Sequence, residues 1–146
     1  MTSTNNLSLL VAIERERRRR RKDGAPLPAM PPLEWAVTNA QIVHPVRGRV
    51  AFVPYSYQRA FLEAHEDNRR LVLKARQIGF SQVFALEALY TATTQPEQTI
   101  LLVSRSQDLA VNLLRYCYLT YNNLKIAPEL RKANESEMGF SNGSRI

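Results

Sequence analysis

Two cations, a glycine and a hydroxyl fall within eight residues, at Lys74, Arg76, Gly79 and Ser81. Together they are suited to holding phosphate. The lysine supplies a compact charge on a flexible stem, and the arginine a planar fork that matches phosphate oxygens. The glycine lets backbone N–H groups approach an anion, and a hydroxyl at a helix start can hold Mg²⁺. Such residues need a strand to deliver the loop and a helix to receive it, because a helix N-terminus presents unpaired N–H groups and a positive dipole end. The flanks fit that layout. Leu71-Val72-Leu73 reads as a short, wholly apolar strand of the kind buried in a parallel sheet. Ser81–Thr93 reads as a helix in which Phe84, Ala85, Leu86, Ala88, Leu89 and Tyr90 cover more than one face, the mark of a buried helix. Glu87, the one charge in its middle, is expected at the exposed edge.

The loop Lys74-Ala75-Arg76-Gln77-Ile78-Gly79-Phe80-Ser81 departs from the usual pattern G-x-x-x-x-G-K-[ST]. With Gly79 and Ser81 on its last glycine and hydroxyl, Lys74 takes the first glycine position and Phe80 the lysine position. The charge is displaced to Lys74, whose stem can swing toward the β- and γ-phosphates, with Arg76 adding a second cation. The bare alternative is that Gly79 only turns a strand into a helix, with Lys74 and Arg76 as solvated charges.

KARQIGFS resembles the deviant Walker A motif of the large terminase subunits, the DNA-packaging ATPases of tailed bacteriophages. In that family the loop lysine commonly stands at the start of the loop. The resemblance implies Lys74 as the phosphate lysine, Gly79 as the loop glycine and Ser81 as the Mg²⁺ ligand, with ATP and Mg²⁺ as cofactors. Upstream stands Tyr57-Gln58, with Gln58 sixteen positions before Lys74, which leaves room for one helix and one strand. It is similar to the aromatic–glutamine pair that holds adenine in helicase-like ATPases, and terminases carry a similar YQ motif. A ring can stack on the base, while a carboxamide can accept from N6 and donate to N7. Tyr55 is a second, less favoured stacking partner. Without the loop beside it, the pair would read as a helix start with a buried tyrosine and an exposed glutamine.

The remaining chain divides in two. Residues 1–33 are a basic N-terminal helix or arm and a proline-rich linker; residues 34–146 hold the ATPase-like part. In the arm, Leu7–Ile13 precede Arg15, Arg17–Arg21 and Lys22, with Ser8 as a possible cap. This run is either a solvated charge cluster or an arm that touches nucleic-acid phosphates or another protein. It accounts for much of the net charge of +7. A secretory signal has its charge before its apolar stretch, and here the order is reversed. No apolar run reaches the length of a membrane span. One cysteine, Cys117, excludes a disulfide framework within the chain and reads as a small buried hydrophobe. A cytoplasmic location, that of the phage host, is expected.

Gln41–His44 and Arg49–Val53 read as short strands joined by a turn at Pro45–Gly48, with Trp35 packing on the downstream domain and His44 structural. An HP-x-x-G segment of this kind resembles one preceding the terminase core. Residues 54–66 read as a helix with Ser56 as its cap and Phe61 and Leu62 facing the core. Thr99–Ser104 reads as a second core strand, so that strand, helix and strand form a right-handed βαβ unit. Another helix then starts at Ser104–Asp108, with Leu109, Leu113, Leu114, Cys117 and Tyr118 on its apolar face. SRSQDLA resembles motif Ia of helicase-like ATPases, which implies Ser104 and Arg105 near a DNA face. Residues 122–137 read as loop, and Asn142-Gly143 as a hairpin turn.

The fold class expected is α/β, a P-loop NTPase-like (RecA/helicase-like) parallel sheet. Its core is expected to be incomplete, because no Asp or Glu follows a second apolar strand to orient water and hold Mg²⁺. The family resemblance places that acidic pair, and a nuclease domain, beyond the stretch matched here. The reading is a fragment of a prophage or bacteriophage packaging motor, with double-stranded DNA, a small terminase subunit and a portal protein as partners and no membrane. It is expected to bind ATP weakly and not to turn it over. The alternatives are a non-enzymatic basic nucleic-acid-binding module and a helicase-like P-loop ATPase fragment.

Overall fold

The computed structural model describes residues 30–44, 46–67 and 69–146. The basic arm and most of the proline-rich linker lie outside the described residues. The elements are α1 (Pro32–Asn39), β1 (Gln41–His44), β2 (Gly48–Ala51), α2 (Ser56–Glu63), α3 (Phe80–Thr94), α4 (Gln107–Tyr121), β3 (Leu130–Ala133) and β4 (Met138–Phe140).

Helix α3 is the hub. Its buried residues Val83, Ala85, Leu86, Leu89 and Ala92 point in several directions, and α1, α2 and α4 each pack against it. A helix apolar on most sides is stable only when surrounded in this way. Trp35 of α1 is buried and meets the Tyr90 ring edge-on at 5.6 Å. Cys117 of α4 is fully buried, and its thiol donates to the Ala85 carbonyl at 3.4 Å across the α3–α4 contact. Burial pushes the Cys117 pKa up from 9.0 to about 12. The native thiol is therefore expected to resist alkylation at pH 8 and to react once the chain is unfolded in urea, which a timed thiol-reagent assay checks. For stability, the raised pKa contributes in full below pH 9, and that contribution is lost as pH climbs toward 12.

The first hairpin matches the sequence expectation closely. β1 and β2 pair antiparallel with Gln41 opposite Ala51 and His44 opposite Gly48. His44 has a structural part, since its Nδ1 accepts from the Val46 and Arg47 N–H groups at 3.2 Å each. Helix α1 departs from the expectation of a linker reaching residue 33. Pro32 stands at the first helical positions, where its missing N–H costs nothing.

The two expected core strands differ from their reading. Neither Leu71–Leu73 nor Thr99–Ser104 forms a strand, apart from a parallel bridge between Thr99 and Arg145. Along both segments burial alternates. Leu71, Leu73, Leu101 and Val103 are exposed, while Val72, Ile100 and Leu102 pack against the core. That is the period of an extended chain with one face covered. The wholly apolar sequence predicts cover on both faces; strand pairing needs a neighbour, and among the described residues Leu71–Leu73 has no bridge partner while Thr99–Ser104 meets one only at its start, beside Arg145.

The second sheet lies partly in the stretch 122–137, for which the sequence predicts loop. β3 pairs antiparallel with β4, Leu130 opposite Phe140 and Ala133 opposite Met138. The chain then turns at Asn142-Gly143, as expected, and returns beside β4, where Met138 and Ile146 exchange two backbone bonds of 2.9 Å. The Thr99–Arg145 bridge places this returning segment parallel to residues 99–100, with α4 between them in sequence. The same turn closes the C-terminal end of α3. Asn142 Nδ2 donates to the Ala92 carbonyl at 2.9 Å, and Ser144 Oγ to the Gln95 carbonyl at 2.7 Å. Carbonyls left open at a helix end thereby gain partners.

Candidate phosphate-binding loop

The loop runs between the exposed Leu73 and the buried Phe80. Gln77 and Gly79 both have positive φ, 60° and 78°, so the backbone turns through the left-handed region twice in three residues. Gly79 is the N-cap of α3; no side chain caps the helix and no acidic residue stands in its first turn. The first N–H groups of α3 are therefore left to an external acceptor or to water. Lys74, Ala75, Arg76, Gln77 and Ser81 are exposed, and Ile78 packs against the core. Lys74 Nζ makes, among the described residues, only a long bond of 3.4 Å to the neighbouring Ala75 carbonyl. Among the described residues, neither Lys74 nor Arg76 has an acidic partner. Both cations thus remain available to an anion.

Phe80, which stands where the usual pattern has lysine, is a packing residue. Its ring is buried in a cluster with Tyr57 at 5.7 Å, Phe61 at 5.7 Å and Phe84 at 5.6 Å. It anchors the helix start to α2, while Lys74 and Arg76 stay exposed.

The loop is also tied to α2 by polar bonds. Tyr57 Oη donates to the Ile78 carbonyl at 3.1 Å, and Gln58 Nε2 donates to the same carbonyl at 3.3 Å. Gln58 Oε1 accepts from the Tyr55 N–H at 3.0 Å, as the third residue of a helix does in one half of a capping box. Gln58 is only 3% exposed. A Cβ placed on Gly79 would stand 2.8 Å from Gln58 Nε2. Tyr57 is stacked on Tyr55 at 5.5 Å on one side and on Phe80 on the other.

Glu87 does not sit at an exposed edge as a solvated charge. Its side chain is 19% exposed and paired with Arg70 Nη2. Arg70 Nη1 in turn donates to the Phe61 carbonyl at 3.0 Å, and the guanidinium lies 4.1 Å from the Phe61 ring centroid. Arg70 thus fastens the approach to the loop onto α2 and α3. Sequence reasoning passes over it, although a lone acid within an apolar helix is itself a signal that a cation must be near.

Ser104 and Arg105 are exposed just before Ser106, which is the N-cap of α4. Asp108 lies in the first turn of that helix, as expected. Among the described residues no group of three or more His, Cys, Asp or Glu could hold a metal ion, and no helix is long and apolar enough to cross a membrane. The exposed Ser81 hydroxyl could serve Mg²⁺ as one ligand, and the others would have to come from a bound phosphate and water. No protein-family model matches this chain, and no curated protein matches it.

Proposed function

We propose that this chain binds the triphosphate of ATP in the loop Lys74–Ser81, as part of a DNA-packaging motor of the terminase kind. The observation that carries the reading is the uncapped start of α3. It is reached through two left-handed residues and flanked by exposed Lys74, Arg76 and Ser81. Backbone N–H groups would cradle the β-phosphate, and Lys74 and Arg76 would neutralise the β- and γ-phosphates. Ser81 Oγ would hold Mg²⁺, which when bound would shield the phosphate charge. The terminase assignment is supported by the displaced lysine and the upstream YQ. It brings with it double-stranded DNA, a small terminase subunit and a portal as partners, in the host cytoplasm.

The test is binding of ATP with and without Mg²⁺ to the 146-residue chain and to Ser81→Ala. The wild-type chain is expected to bind ATP more tightly with Mg²⁺ than without, and Ser81→Ala to lose most of that difference. Identical binding of both proteins at every Mg²⁺ concentration would remove Ser81 from the site.

A further inference from the structure

We propose that Gln58 holds the loop in place and does not read the base, so that the site takes ATP and GTP alike, with the base stacked on Tyr55. This rests on the nucleotide reading above and narrows it. Reading adenine requires a carboxamide that reaches the ligand with its oxygen free to accept and its N–H free to donate. Gln58 does not reach outward in this way, because its amide is turned into the fold. It is 3% exposed, its oxygen accepts from the Tyr55 N–H, and its amide donates to the Ile78 carbonyl. Those two bonds join the start of α2 to the residue just before Gly79. The close approach of Nε2 to Gly79 fixes the amide against the loop backbone. Gln58 is therefore a positioning residue for the phosphate cradle.

The rings point the same way. Tyr57 has Tyr55 on one side and Phe80 on the other, at interplanar angles of 17° and 26°, and its hydroxyl is bonded to Ile78. It is 39% exposed, with its ring and its hydroxyl both engaged within the fold. Tyr55 is 65% exposed, and Tyr57 is its one ring neighbour among the described residues. The outer face of Tyr55 continues the ladder that starts at Phe80, the first residue of α3. Stacking tolerates any base, because every base has a π-face. A site that stacks the base and grips the phosphates discriminates little between purines.

The experiment measures ATP and GTP affinity, each with Mg²⁺, for the full chain and for Gln58→Ala and Tyr55→Ala. The wild-type chain is expected to bind the two within about threefold of each other, well under the preference that a dedicated hydrogen-bond readout gives. Tyr55→Ala should weaken both by about tenfold. Gln58→Ala should weaken both by a common factor and leave their ratio unchanged. A wild-type preference for ATP of more than about tenfold overturns the inference, and its disappearance in Gln58→Ala would assign base reading to Gln58. In that case the nucleotide reading itself stands. Failure to bind either nucleotide overturns both. Should Gln58→Ala not fold, the wild-type ratio alone decides.

Discussion

Gly79→Ala is expected to lose nucleotide binding and to destabilise the chain by about 2–4 kcal/mol. Two costs add. A side chain at φ +78° costs about 1–2 kcal/mol against the left-handed backbone. The new Cβ would meet Gln58 Nε2 at 2.8 Å. The far end of a glutamine can usually swing away, but this one is buried and bonded at both ends. Moving it releases the Ile78 carbonyl or the Tyr55 N–H, at about 1 kcal/mol for each bond lost. Gly48→Ala separates the two effects, since Gly48 has φ +69° with nothing within 4 Å of an added Cβ. That variant should cost about 1–2 kcal/mol, the backbone cost alone, and leave nucleotide binding intact. Urea unfolding of both variants beside ATP titration checks the pair. Equal losses would mean that the Gln58 contact carries no weight.

Leu86→Ala should be among the most damaging core substitutions, at about 2–5 kcal/mol. Leu86 is 1% exposed, in the middle of the helix against which α1, α2 and α4 all pack. A fully buried leucine cut back to alanine loses its burial and leaves a cavity that the surroundings refill only in part. Domains of this size hold about 5–15 kcal/mol in all, so the variant should lose a large share of its stability and unfold at much lower urea. Leu73→Ala is the control. Leu73 is 101% exposed, and its loss should shift the urea midpoint little. A Leu86→Ala chain as stable as the wild type would contradict the central place given to α3.

Elements with a local signature are legible in the sequence. The loop, the first hairpin and helices α2, α3 and α4 each carry one: a glycine before a hydroxyl, alternation around a turn, or apolar spacing near 3.6. Helix α1 is hidden because Pro32 weighs as a breaker, although a first-turn proline is compatible with a helix. β3 is hidden because Leu130-Arg131-Lys132-Ala133 has no apolar alternation; it is held by pairing with β4, which local composition does not encode. The segments Leu71–Leu73 and Thr99–Ser104 are apolar in sequence, but pairing depends on what lies beside them. At the candidate site, residue types point to Lys74, Arg76 and Ser81. They do not reveal that Phe80 anchors the loop in an aromatic cluster, or that Arg70 pairs with Glu87. A glutamine beside a tyrosine is one pattern in sequence; whether its amide faces a base or its own backbone is decided by the fold.

The most direct measurement is the affinity of the chain for ATP with Mg²⁺, compared with that of Lys74→Ala at one ionic strength. Lys74 is exposed and, among the described residues, bonded to its own neighbour alone, so its removal should leave the fold unchanged. Binding through the loop predicts a loss of about tenfold or more, as expected when a charged hydrogen-bonding partner of a phosphate is removed. The loss should persist after deletion of residues 1–22, whereas binding through the arginine run would vanish with that deletion and weaken steeply with salt. Equal affinity of Lys74→Ala and wild type would contradict the account.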